Sequence, residues 1–224
     1  MPSGDLVAFS DLARAAYCPR QLYYLRRDDR EPPEEATERI DLAFRYPTLR
    51  SADDDALREA PVDRPPDDYR AALDRLADRE EWAALTDPGS TRTLLEGKDC
   101  RGIAHKVLDP DDGPPVPTLV SPGAPPEQGV WEPQAVRAVA AAKALAWERG
   151  REVPRALVEY PAHGVVREVR LGVRKAAAYR RTLRTVRSMD GPPPRLRGSD
   201  KCDPCDYRAE CGVETRSLRS WLGL

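Results

Sequence analysis

The sequence predicts a mixed α/β fold, a sheet flanked by helices. Three observations predict it. Residues 91–96 and 101–108 are two adjacent runs rich in strand-forming side chains, joined at Lys98-Asp99. A later pair, 155–160 and 165–171, reads as a hairpin about His163-Gly164. Helical patterns precede, separate and follow these runs, and that order suits one sheet covered by helices. A length of 224 residues suits a single domain.

The elements follow in order. Residues 9–26 carry Leu12, Ala15, Ala16, Leu22, Tyr23 and Leu25 at helical positions, with Ser10 as the expected N-cap and Cys18-Pro19 as an interruption. Residues 28–67 are acidic and Pro-rich, holding Asp53-Asp54-Asp55 and Pro65-Pro66, and predict a weakly structured or partly helical insert. Residues 68–85 predict a better helix through Leu73, Leu76, Ala77 and Trp82. The insert as a whole is bounded at 28–90. After the first two strands comes a loop at 109–117. A short strand at 118–121 stops at Pro122-Gly123. Pro133 near the start and Gly150 just past the end frame a helix over 132–149. A basic helix is predicted over 174–189. The cysteine segment, 195–224, follows Gly191-Pro192-Pro193-Pro194.

The net charge of -2 conceals a segregation. Residues 28–81 hold 18 acids and nine arginines, whereas residues 137–197 hold 15 basic side chains and five acids. The total therefore does not exclude a nucleic-acid partner. A membrane partner is excluded more directly. The longest apolar run, 138–147, is broken by Lys143 and is too short to span a bilayer. Met1 to Asp5 show no basic segment before an apolar one, so a cytoplasmic protein is expected. There is no GxxxxGK[ST] loop and no GxGxxG, and thus no motif for nucleotide phosphates.

Five cysteines in a reducing compartment point to metal or redox chemistry rather than to a disulfide framework. Cys202, Cys205 and Cys211 form C-x2-C-x5-C. Cys18 lies far away in sequence, but the first helix and the C-terminal segment can meet in space. Four thiolates at one site suit a [4Fe–4S] cluster or a structural zinc ion. A three-plus-one set with the lone ligand near the other terminus is closer to an iron–sulfur clasp. Cys100, at the start of a strand, is expected to be a small buried apolar residue.

The predicted basic helix offers Arg174, Lys175, Arg180, Arg181, Arg184 and Arg187, with no acid before Met189. Arg180, Arg184 and Arg187 share one face, which suits DNA phosphates without base readout. Tyr179 is a candidate for stacking on an unpaired base. The acidic insert is a candidate for a DNA mimic or for an autoinhibitory cover over the basic face.

Two segments carry a family resemblance. Tyr17-Cys18-Pro19-Arg20-Gln21-Leu22-Tyr23-Tyr24 resembles the N-terminal motif of the CRISPR-associated RecB-type exonucleases, and residues 201–211, Lys-Cys-Asp-Pro-Cys-Asp-Tyr-Arg-Ala-Glu-Cys, resemble their C-terminal one. The resemblance covers both ends and most of the C-terminal half, and is weakest over 28–90. It implies a single RecB-nuclease-like domain over 1–224 with a restriction-endonuclease-like sheet. It also implies a [4Fe–4S] cluster on Cys18, Cys202, Cys205 and Cys211, and trimming of DNA ends beside the CRISPR adaptation integrase.

The chain departs from that pattern where the chemistry resides. Such a nuclease holds Mg²⁺ or Mn²⁺ on carboxylates. The family pattern is Gly-x-x-Asp, then Glu-x-Lys, then Gln-x-x-x-Tyr on a helix. Here Gly102-Ile103-Ala104 leads to His105, Leu119-Val120-Ser121 stands for Glu-x-Lys, and Gln134 is kept while Ala138 replaces Tyr. The upstream histidine is missing, since the only histidines are His105 and His163. The expectation is a member of the family that binds DNA ends or the adaptation complex and has lost cleavage. Two alternatives remain. One is an active single-strand exonuclease, with a rearranged site on Glu96, Lys98, His105 and Asp109, or with Glu127 or Glu132 brought in by a shift of register. The other is an interaction protein that docks through its acidic insert.

Overall fold

The computed structural model describes residues 6–28, 34–110, 113–196 and 200–212. The fold is mixed α/β, a six-stranded mixed sheet with helices on both faces. Strand β1 (Val7–Ala8) leads into helices α1 (Phe9–Tyr17) and α2 (Pro19–Leu25). Ser10 is not the N-cap. Ala8 holds that position in an extended conformation, and Ser10 lies inside α1. Pro19 begins α2 in its first turn, where its missing N–H costs nothing, so the predicted interruption becomes a corner at Cys18.

The acidic region is more ordered than its composition suggests. It forms α3 (Glu34–Asp41), a 3₁₀ turn (Leu42–Phe44), α4 (Tyr46–Arg50), α5 (Asp54–Glu59), α6 (Pro66–Ala77) and α7 (Trp82–Thr86). The Asp53 carboxylate caps α5 by accepting from Ala56 N at 2.9 Å. The single helix expected over 68–85 is two helices. Tyr46, Leu49, Leu57, Tyr69, Leu73, Leu76 and Leu85 are all buried in one cluster with Leu108, Val120 and Leu157 from the sheet. Burial of this cluster, not local propensity, holds the short helices.

Strands β2 (Ser90–Glu96) and β3 (Cys100–Leu108) form an antiparallel pair. On its other edge β3 meets β1 in parallel at Cys100 and Arg101, and β4 (Val116–Val120) in antiparallel at Lys106 to Leu108. Residues 102–105 lie between these two partners. β4 runs parallel to β5 (Arg155–Tyr160), which forms a hairpin with β6 (Val165–Arg170). Gly164 closes that hairpin in the left-handed region, at φ +61°, a conformation that glycine adopts without steric penalty.

Helix α8 (Glu132–Arg149) runs from Pro133 in its first turn to Gly150 at φ +59°, with the expected bounds. Its Ala138, Ala140, Ala141, Ala142 and Ala144 are buried, so small side chains let the backbone pack closely on the sheet. Helix α9 (Val173–Arg187) packs beside it, and α1, α8 and α9 form one core cluster on the face opposite the acidic layer. Beyond the Pro-rich stretch a short helix, α10 (Arg208–Cys211), closes the described chain. Of the segment 195–224, residues 197–199 and 213–224 lie outside the described residues, as do Met1 to Asp5. Among the described residues no helix is long and apolar enough to cross a membrane.

Candidate functional site

Two places concentrate chemistry. The first is where the ends of the chain meet. Cys18, at the corner between α1 and α2, lines one pocket with Cys202, Cys205 and Cys211. The meeting is held by contacts of high sequence separation. Arg20 Nη1 donates to Pro193 O at 2.8 Å, and Tyr24 OH donates to Glu210 O at 3.1 Å. Lys201 Nζ donates to Tyr17 O at 3.2 Å and sits 4.9 Å over the Tyr17 ring. The rings of Tyr24 and Tyr207 stack with centroids 5.5 Å apart, and Tyr207 OH donates to Asp28 at 2.8 Å. Gln21 Nε2 points at Cys205 Sγ from 3.8 Å.

Burial pushes the Cys202 thiol up, and the neighbouring Cys18, Cys211, Cys205 and Asp203 push the same way. Four cysteines on one pocket are a donor set of the kind that iron–sulfur and zinc centres use. Among the described residues, however, no three Cys, His, Asp or Glu side chains form a group ready to hold a metal ion.

The second place lies on the α8 face, where β3 and β4 part. The His105 side chain fills the gap. Its Nδ1 accepts from Val120 N at 3.1 Å, so an imidazole replaces a ladder hydrogen bond between the two strands. The proton of the neutral ring is therefore on Nε2. His105 is only 8% exposed. Burial first, then the nearby Arg137, Arg92 and Lys106, lowers its pKa to about 3. It is a neutral structural wedge.

Ser121 N donates to Glu159 O at 2.8 Å, and Ser121 Oγ accepts from Gln134 Nε2 at 3.4 Å. One turn further along α8, Arg137 Nη1 donates to Val120 O at 3.4 Å. Burial alone lowers the Arg137 guanidinium to about 10. Among the described residues no carboxylate pairs with it, and its Nε has no partner. Leu119 is buried in the core cluster. The centre thus brings His105, Ser121 and Gln134 together, as the order of motifs suggests, and adds Arg137, which the sequence reading passed over. The signal was available, because Arg137 lies three residues after Gln134 and therefore on the same face of α8.

The rearranged site is not assembled. Glu96 and Lys98 are exposed at the turn before β3, and Asp109 is exposed just beyond its other end. β3 spans nine residues, or about 30 Å at 3.3 Å each, which separates the two groups. Glu132 pairs with Arg181 at 3.0 Å on the outside of α8, and Glu127 is exposed. The one buried carboxylate near these strand ends, Glu159, points to the opposite face and binds Lys106.

Helix α9 exposes Arg174, Arg180, Arg181, Arg184 and Arg187, with Lys175 half-buried. Arg181 pairs with Glu132 and Arg187 with Asp99, while among the described residues no carboxylate pairs with Arg174, Lys175, Arg180 or Arg184. Tyr179 is not available to a base. It is 1% exposed, and its hydroxyl donates to Cys100 Sγ at 3.3 Å. The spacing of Tyr179, Thr182, Leu183 and Val186 marks the inward face of α9. Cys100 is buried, as expected for a small apolar residue.

The acidic layer does not cover α9, because it packs on the other face of the sheet. Several of its carboxylates are engaged locally. Arg39 holds Asp63, Arg50 holds Asp74, Arg70 holds Asp54 and Asp67, and Arg92 holds Asp41.

Fold and sites together define a mixed α/β protein with a four-thiol pocket and a polar centre of His105, Ser121, Gln134 and Arg137 at its strand ends. No protein-family model and no curated protein matches the sequence. Among solved structures the chain is similar to the one titled "Crystal structure of SSO0001", over 94% of this chain and 88% of that one, at 13% identity and a TM-score of 0.43.

Proposed function

We propose that the chain is a RecB-nuclease-like protein that carries a [4Fe–4S] cluster and binds DNA ends or a CRISPR adaptation complex without cleaving DNA. The observation that carries this reading is the convergence of Cys18, Cys202, Cys205 and Cys211 on one pocket from opposite ends of the chain. Those four thiolates would hold the cluster. Their arrangement in the motifs that resemble the family favours a cluster over zinc. Loss of cleavage is supported by the centre at His105, Ser121 and Gln134, where among the described residues no carboxylate is bonded to these side chains and a guanidinium stands instead. DNA binding is supported by the exposed arginines of α9. Ion pairs engage several side chains of the acidic layer, among them Asp41, Asp54, Asp63 and Asp74, and this favours a structural role for them over docking.

The test is anaerobic purification followed by absorption spectroscopy and metal analysis. A brown protein with a broad band near about 400 nm and roughly four iron atoms per chain is expected for a four-iron cluster. The band should vanish in Cys18→Ser. A colourless protein with stoichiometric zinc overturns the cluster. Incubation with labelled single- and double-stranded DNA and Mn²⁺ should leave both intact.

A further inference from the structure

We propose that the polar cluster of His105, Ser121, Gln134 and Arg137, beside the groove that Gln134 lines, is an anion site that takes a phosphate group. Under the DNA-binding reading above, on which this rests, that group is a backbone phosphate.

A guanidinium desolvated without an acid is costly, and the usual remedy is a paired carboxylate. For Arg137 there is none among the described residues, and Nη1 makes only a long bond to a carbonyl at 3.4 Å. Nε is buried and unpartnered. Nε and Nη2 form the side of the guanidinium that grips a phosphate with two parallel hydrogen bonds. The surrounding groups are neutral and can donate, namely His105 through Nε2–H, the Ser121 hydroxyl, and the Gln134 amide. Gln134 Oε1 is also without a partner, and rotation of the amide by half a turn exchanges acceptor for donor. An arrangement rich in donors, with one cation that no carboxylate pairs with among the described residues, is the inverse of a divalent-metal site and is complementary to an anion.

Access comes from the side of Gln134. The same residue lines a surface groove with Arg14, Tyr17, Gln21, Trp131, Lys201 and Glu132, whose carboxylate is paired with Arg181. Trp131 is 52% exposed, so the groove carries an aromatic face. A single strand in this groove would stack a base on Trp131 and bring a phosphate to Arg137.

The experiment uses the full chain and two probes. The first is inorganic phosphate, followed by ¹H NMR of the imidazole signals, which are simple because the chain has two histidines. The His105 signal should move saturably in the wild type and stay still in Arg137→Met. The second is a fluorescent single-stranded oligonucleotide, followed by anisotropy. Affinity should fall at least tenfold in Arg137→Met and recover in Arg137→Lys. Removing a half-buried cation that no carboxylate pairs with, while keeping its volume, should not unfold the chain, and a melting temperature at or above the wild type's verifies this. An unmoved His105 signal, or a wild-type oligonucleotide affinity in Arg137→Met, overturns the proposal. If affinity is lost in Arg180→Ala/Arg184→Ala but kept in Arg137→Met, the site is rejected and the DNA reading stands. A phosphate-dependent His105 shift in a chain that ignores DNA keeps the anion site and rejects the DNA reading.

Discussion

Lys106 and Glu159 face each other across the sheet with Nζ and Oε2 2.8 Å apart, and both side chains are fully buried. The pair is completely partnered. Lys106 also donates to Ala43 O and Leu85 O, and its Nζ lies 4.9 Å from the Tyr46 ring. Glu159 accepts from Thr118 Oγ1 at 2.6 Å. The network therefore ties the acidic layer to β3, β4 and β5. We predict that Lys106→Met alone destabilises the protein by about 3–5 kcal/mol, because it leaves a carboxylate buried and unpaired. Lys106→Met/Glu159→Leu should recover most of that loss. Chemical denaturation of the two variants gives the comparison, and equal destabilisation by both would count against the account.

His105 makes stability depend on pH. Its folded pKa of about 3 lies below the ordinary 6.5, so between these values the unfolded chain binds a proton that the folded chain refuses. The contribution is complete above pH 6.5 and is lost as pH falls toward 3. The slope from this one residue is about 1.4 kcal/mol per pH unit within that window. His105→Gln should flatten the pH dependence of the denaturation midpoint between pH 6 and 4, relative to the wild type. A parallel curve would show that His105 is protonated in the folded state.

Tyr179 has exchanged a recognition role for a packing one. Tyr179→Ala should cost about 3–5 kcal/mol through the cavity it leaves, while Tyr179→Phe should cost about 1 kcal/mol for the lost hydrogen bond. Neither variant, once folded, should change DNA affinity. A selective loss of affinity in Tyr179→Phe would restore the stacking role.

Gly102 answers to a contact rather than to catalysis. A Cβ there would lie 2.5 Å from the Phe9 ring, which is itself buried against β3. Gly102→Ala should destabilise by about 1–3 kcal/mol, as overpacking does. Adding Phe9→Leu should recover part of it, and thermal melts of both variants decide.

The α9 arginines carry the remaining prediction. Arg180→Ala/Arg184→Ala should weaken single-stranded DNA binding. It should also reduce the slope of log affinity against log salt by about 1.4, at ~0.7 per lost phosphate contact. An unchanged slope would remove α9 from the interface.

The sequence disclosed the sheet and its long helix well, because β2, β3, β5 and β6 have strand chemistry and α8 has terminators at both ends. The acidic layer was far less legible. Its helices are 5–12 residues long, and their polar faces are filled by Arg–Asp pairs that make the composition look disordered. What orders them is burial of Tyr46, Leu57 and Tyr69 against the sheet, a tertiary effect absent from local pattern. The cysteines were legible as a set because their spacing is local and chemically specific. The polar centre was legible only as a list of replacements. That Arg137 enters it, and that His105 bonds a neighbouring strand, depends on how β3 and β4 separate.

The contacts between Tyr17 and Lys201 close the chain into a ring of more than 180 residues. Mechanically, this sets the order in which the molecule yields. Tension applied near the two ends loads the short β1 pairing and the small set of bonds around Arg20, Tyr24 and Lys201 first, and the rest of the sheet is shielded until they part. If those bonds and any group held by the thiols give way together, the first rupture will be abrupt. It will release α1 and α2 together with β1, the two-residue strand that precedes them, before β4, β5 and β6 part.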